Sequence, residues 1–199
     1  AVSAVIPLLA LFLTTVMRIP GIISFENFTF EEVVSKLSEK EKIIALHDKI
    51  QGKVQSIFRQ VAAFNFEIEL HERIKNEGSL SHEEIAKLMT KHLKSYCGPS
   101  MKFNETHGYQ YINWPHFRTP FYVYTYAFGE LISESLYTKY QEDPKFIENI
   151  KGFLSAGCSM SPKDIFKTHA NIDINDMSFF QAGLDSIEED IKKLEKLIK

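Results

Sequence analysis

The chain has 199 residues, 44% of them apolar, and a formal net charge of −3. That is enough apolar material for one domain with its own core. Acidic and basic side chains are mixed along the whole length, which excludes a basic nucleic-acid face and a charged tail. Only two cysteines occur, Cys97 and Cys158, far apart and without C-x-x-C partners. A disulfide framework is not expected, and a reducing, cytoplasmic setting fits best.

The opening run "AVSAVIPLLALFLTTVM" is apolar for most of its length. A membrane span needs about 20 such residues. This run is shorter, contains Pro7 and lacks the basic start of a signal peptide. Three readings stay open for it: a buried element, a cleaved or anchoring segment, or a stretch foreign to the rest. No membrane partner is expected. Residues 1–23 are therefore set apart from residues 24–199.

After Gly21 the pattern is helix after helix. Thr29 with Glu32, and Ser38 with Glu41, match capping boxes, in which a hydroxyl and a carboxylate three positions apart satisfy free amides at a helix start. Ile43, Leu46, Ile50, Val54, Ile57, Val61 and Ile68 then predict one buried stripe on a long helix ending near Gly78. Ser81 and Glu84 start the next helix, whose apolar face is Ile85, Leu88, Met89, Leu93 and Tyr96. Cys97-Gly98-Pro99 ends it.

A loop to about Thr119 follows. Thr119 is predicted as a cap, with Pro120 as the first helical residue. Asp143-Pro144 and Ser161-Pro162 repeat that signal. The closing stretch places Ile187, Ile191, Leu194 and Ile198 on one face, with acids early and lysines late, as the helix dipole favours. The expected fold class is all-α.

Phosphate loops, a nucleophile elbow and clustered cysteines are absent from the sequence. Two near misses to H-E-x-x-H occur, at His71 and His82, with Lys75 and Ala86 where a second His would have to stand. Neither can hold zinc in that way, and both read as solvated helix faces. The segment "PHFRTPFYVYTYAFG" (115–129) remains. Nine aromatic side chains lie between Tyr109 and Phe128. Tyr122, Tyr124 and Tyr126 alternate as in a strand, whereas Phe121, Tyr124, Phe128 and Leu131 follow helical spacing, the reading adopted here. Tyrosine rings pack like hydrophobes, yet a buried hydroxyl wants a partner. Several hydroxyls facing one cleft can bind peptide backbone or stabilise an oxyanion.

That segment resembles the C-terminal signature of the oligoendopeptidase F family, the thimet-like zinc metallopeptidases. "IFRQVAAFNFEIELHE" (57–72), "KSYCGPSMKF" (94–103), "LSAGCSMSPKDIF" (154–166) and the closing helix are similar in order. The resemblance implies a multi-helix part of a thimet oligopeptidase-like catalytic domain, with a channel that admits short peptides. It implies zinc in the full-length family, held by H-E-x-x-H and a Glu opening a Glu-x-x-Ser-x-x-x-Glu pattern. Here Glu26 matches the second Glu, which puts Ile19 and Ile22 at the ligand and Ser slots. The H-E-x-x-H helix is not in the chain. No zinc is expected on this chain, and no metal ligand is assigned.

By motif position the resemblance implies His116, Tyr122 and Tyr124 as catalytic, with His116 donating to substrate backbone or oxyanion and one tyrosine donating to the tetrahedral intermediate. Tyr126 and Arg118 are implied to bind substrate. Two functions follow as expectations. The first is the substrate-side wall of an oligoendopeptidase whose missing N-terminal part supplies the zinc, the chain being inactive alone. The second is a degenerate, metal-free helical domain that binds peptides or a protein partner.

Overall fold

A computed structural model describes residues 34–199. The described residues fall into two compact units, residues 53–128 and residues 34–52 with 129–199. Every regular element among them is helical, in agreement with the all-α expectation. No helix among the described residues is long and apolar enough to cross a membrane. The apolar opening run, the Thr29 capping box and the Glu26 pattern lie outside the described residues.

Helix α1 spans Glu39–Val54. It begins at the expected capping box: the Ser38 amide donates to Glu41 Oε2 at 2.9 Å, and the Glu41 amide donates to Ser38 Oγ at 3.4 Å. Helical backbone continues through a π-turn, Gln55–Arg59, into helix α2, Gln60–Glu77. A π-turn inserts one residue into the helical register, rotating the following face by about 100°. The buried set therefore jumps from Ile57 to Ala62, Ala63, Phe66 and Glu67, and Val61 is left 43% exposed. The single stripe predicted through Val61 is corrected accordingly. Gly78, at φ 93°, ends the helix where predicted.

Helix α3 spans His82–Cys97 and starts at Ser81, whose hydroxyl accepts from the Glu84 amide while Glu84 Oε2 accepts from the Ser81 amide. Both predicted boundaries hold. Helices α2 and α3 pack together through Phe66, Leu88, Met89 and Leu93, joined by Trp114 and Val123 from the aromatic segment. The turn Glu105–Tyr109 rests against α3 at Gly108. A Cβ there would stand 2.1 Å from the Ala86 carbonyl oxygen, so only glycine fits.

The chain then makes a short helix at Gln110–Asn113 and a 3-10 turn at Pro115–Arg118 before helix α4, Tyr124–Glu142. The predicted helix start at Thr119-Pro120 is corrected. Tyr122 N–H donates to the Thr119 carbonyl at 3.2 Å, and Phe121 sits at φ 56°. Proline second and positive φ third is the pattern of a type II turn, and it breaks the helical run.

In the other unit Asp143 and Ser161 cap the elements after them, as their prolines predict. The longer helices after them are α5, Ile147–Ala156, and α6, Met177–Leu197. Helix α6 lies against the 129–142 part of α4 at Gly183, where a Cβ would be 2.9 Å from the Leu131 carbonyl oxygen. Ser135 Oγ donates to the Phe179 carbonyl at 2.6 Å. Lys49 Nζ meets Asp190 Oδ2 at 2.8 Å with both side chains largely buried. The face predicted for α6 is corrected: Phe179, Gly183, Ile187 and Asp190 are buried, while Ile191 and Ile198 are exposed. Packing of α6 against α4 selects the face that carries Gly183, not the face with most isoleucines.

Candidate functional site

Three side chains of the 115–129 segment come together within the 53–128 unit. His116 leaves the 3-10 turn, Tyr122 leaves the turn that follows, and Tyr126 leaves the first turn of α4. His116 Nε2 and the Tyr126 hydroxyl are 2.7 Å apart, and the Tyr126 and Tyr122 hydroxyls are 3.3 Å apart. The His116 and Tyr122 rings stack with centroids 5.6 Å apart at 29°. Tyr126 meets Tyr122 edge-on at 5.5 Å and 86°.

The sequence produces this grouping because Tyr122 and Tyr126 are four apart, on one face of the turn and helix that carry them. Val123 and Thr125, almost fully buried, anchor that turn in the core. Tyr124 projects elsewhere. It is 44% exposed and packs on Phe64 at 5.7 Å and Phe128 at 6.4 Å. Its hydroxyl has no hydrogen-bond partner among the described residues. Arg118 is exposed and lines a separate pocket of about 290 Å³ with Glu67, His71 and Phe117. The structure thus brings His116, Tyr122 and Tyr126 together, and it does not bring Tyr124 or Arg118 to them.

His116 opens on a different pocket, of about 320 Å³, beside Arg59, Trp114 and Pro115. The Arg59 guanidinium lies 4.2 Å from the Trp114 ring centroid, a cation–π contact. Burial, and secondarily the Arg59 charge, hold the His116 imidazole below the ordinary histidine range. The ring is therefore neutral near pH 7. Burial raises the Tyr126 phenol, and the Tyr122 hydrogen bond adds to it, pushing it up to about 12. Both partners are uncharged at neutral pH.

Neutral imidazole and two phenols can order their protons in two ways. If Nε2 accepts from Tyr126, the Tyr126 oxygen is free to accept from Tyr122. If Nε2–H donates to Tyr126, Tyr126 donates to Tyr122, and the Tyr122 proton is available to an incoming acceptor. Either orientation leaves Nδ1 without a partner among the described residues, although it is buried. A carbonyl oxygen or a developing oxyanion is the kind of group such a hydroxyl can meet.

Two contributors were not singled out from the sequence. Arg59 stands in the 57–72 stretch with no spacing signal of its own, and its contact with Trp114 depends on the π-turn. Glu67 stands in the "FE" of the same stretch, yet its position on a buried face follows from the register shift. Among the described residues no group of three His, Cys, Asp or Glu side chains is placed to hold a metal ion. The residues described do not fit zinc.

The family model described as "Peptidase family M3" matches residues 14–185, which takes in part of the apolar opening run. The chain is 32% identical over 160 residues to an oligoendopeptidase F homolog of Borreliella burgdorferi, covering 76% of this chain and 27% of that one. It is 27% identical over 161 residues to oligopeptidase PepF of Bacillus subtilis, covering 80% of this chain and 24% of that one. The chain thus spans about a quarter of the length of these curated relatives. The crystal structure of oligoendopeptidase-F from Enterococcus faecium shares the fold with a TM-score of 0.76 at 23% identity, over 83% of this chain and 32% of that one. A putative peptidase from Chlamydophila abortus does so with a TM-score of 0.75 at 24% identity, over 84% and 28%. The chain belongs to peptidase family M3.

Proposed function

We propose that this chain forms the substrate-side wall of a zinc metallo-oligoendopeptidase that hydrolyses short peptides. The hydrogen-bonded row His116–Tyr126–Tyr122 carries the reading, in a family whose curated relatives named above are oligopeptidases. In this role Tyr122 donates its hydroxyl to the scissile carbonyl oxygen, and Tyr126 holds Tyr122 and His116 in register. When His116 Nε2 carries the proton it donates to Tyr126, and this ordering leaves the Tyr122 proton to the substrate. Tyr124 offers an exposed hydroxyl to the same substrate from the neighbouring face. Arg118 takes a more distant part of the peptide from its own pocket.

Zinc and its ligands belong, in this reading, to a portion other than the residues described, and that portion is the chain's partner. Without it the chain binds peptide and does not cleave it. Scarce, unpaired cysteines support a cytoplasmic setting.

The test is calorimetry of the 199-residue chain with a short unstructured peptide, together with cleavage of a quenched peptide in added zinc. Saturable binding without turnover is expected, weakened several-fold by Tyr122→Phe. In a longer M3 protein carrying this segment, Tyr122→Phe should lower kcat by about 10²-fold, the usual effect of removing one such donor. Absence of peptide binding would overturn the reading, and so would turnover by the chain alone.

The alternative is a metal-free peptide-binding domain. It predicts the same binding, and no gain of activity in any longer protein that contains this segment.

A further inference from the structure

The chain leaves one carboxylate in an expensive place. Glu67 on α2 is only 3% exposed. Its Oε2 is buried and has no partner among the described residues. Its Oε1 accepts the Phe121 amide at 2.8 Å, across 54 positions of sequence. A buried carboxylate with one unpaired oxygen is destabilising.

What it holds is a strained turn. Phe121 has φ 56°, a conformation that favours glycine and that costs a bulky residue on the order of 1–3 kcal/mol. Its ring is packed against His71 at 4.8 Å and Phe64 at 6.1 Å, both on the same helix as Glu67. The next residue is Tyr122. Its amide closes the turn on Thr119, and its carbonyl accepts both the Thr125 amide at 3.1 Å and Thr125 Oγ1 at 2.8 Å. The direction in which Tyr122 leaves the backbone is therefore set by Thr125 on one side and by the Phe121 turn on the other.

We propose that Glu67 is a positioning residue: by accepting the Phe121 amide it locks the positive-φ turn that stacks Tyr122 on His116. The assignment deepens the proposed role of Tyr122 and rests on it. Oε1 acts as an acceptor, so a glutamine, whose amide oxygen can take the same place, keeps the lock. A leucine fills the same volume, removes a poorly satisfied buried group and releases the turn.

The experiment is solution NMR of the peptide-free chain. Two quantities are read: exchange of the Phe121 amide and nuclear Overhauser contacts between the Tyr122 and His116 rings. In the unmodified protein the amide is protected and the ring contacts are present. Glu67→Leu is expected to leave the thermal midpoint equal or higher, speed exchange of the Phe121 amide at least tenfold and abolish the ring contacts. Glu67→Gln is expected to keep both. A protected amide or intact ring contacts in Glu67→Leu would overturn the proposal, as would their loss in Glu67→Gln. Should Glu67→Leu fail to fold, Glu67→Met, unbranched like glutamate but without an oxygen acceptor, is read in its place with the same expected and overturning results. Because no peptide is present, the lock can fail while the peptide-binding reading stands, and the converse also holds.

Discussion

Replacing Tyr126 by phenylalanine removes one oxygen and leaves every ring contact in place, so its effect isolates the hydrogen-bonded row. Tyr126 makes the short contact with His116 at 2.7 Å and the long one with Tyr122 at 3.3 Å. A neutral hydrogen bond contributes about 1 kcal/mol net, and a long one contributes less. The substitution also orphans His116 Nε2 on a ring whose Nδ1 already lacks a partner among the described residues. His116 is only half-buried, so water relieves part of that penalty. The expected loss is about 1–2 kcal/mol, or about 2–8 °C in the melting temperature of a chain this size. Tyr122→Phe loses only the long contact and should cost about 0.5 kcal/mol. Tyr124→Phe removes a hydroxyl without a described partner and should be close to neutral. Urea unfolding of the three variants, followed by circular dichroism, checks the order. Equal losses for Tyr124→Phe and Tyr126→Phe would refute the grouping of His116 with Tyr122 and Tyr126.

The folded pKa of His116 lies below its unfolded value, so between the two the native state binds fewer protons. Stability should therefore rise with pH through that window, level off above about 6.5, and show a smaller rise in His116→Phe by pH-dependent denaturation. Glu67 has the opposite sign: burial raises its folded pKa above the unfolded one. Stability should fall as pH climbs above the ordinary glutamate value of about 4.3, and Glu67→Gln should remove that fall in the same titration. Gly108→Ala drives a methyl into the Ala86 carbonyl and should destabilise by about 1–3 kcal/mol or more in urea unfolding. Gly52→Ala, in α1 with nothing within 4 Å of its Cβ, should instead stabilise by about 0.5–1 kcal/mol.

The helix ends were legible because their chemistry is local. Ser38, Ser81, Asp143 and Ser161 each bond an amide within three residues, and Gly78 and Gly98 adopt positive φ where a helix must stop. Faces were less legible. The π-turn at Gln55–Arg59 inserts a residue with no compositional mark and turns Val61 outward. In α6, packing at Gly183 overrides the isoleucine stripe.

The site was half-readable for the same reason. The aromatic motif marked the segment, and i, i+4 spacing pairs Tyr122 with Tyr126. Choosing between Tyr124 and Tyr126 as the partner of His116 depends on where α4 begins. Thr119-Pro120 is a strong start signal that the structure spends on a turn. Phe121 at positive φ is unreadable from sequence because its support comes from Glu67, far away along the chain.

The proposed role of the wall requires that peptide meet the His116–Tyr122 face. Labelling the tyrosine and histidine rings with ¹³C and titrating a short peptide into the chain reads this directly. Saturable shifts at His116, Tyr122 and Tyr126, with the 129–199 tyrosines Tyr137 and Tyr140 unmoved, are predicted. Saturable shifts confined to Tyr137 and Tyr140, or none at the His116 cluster at peptide concentrations that bind, would contradict it.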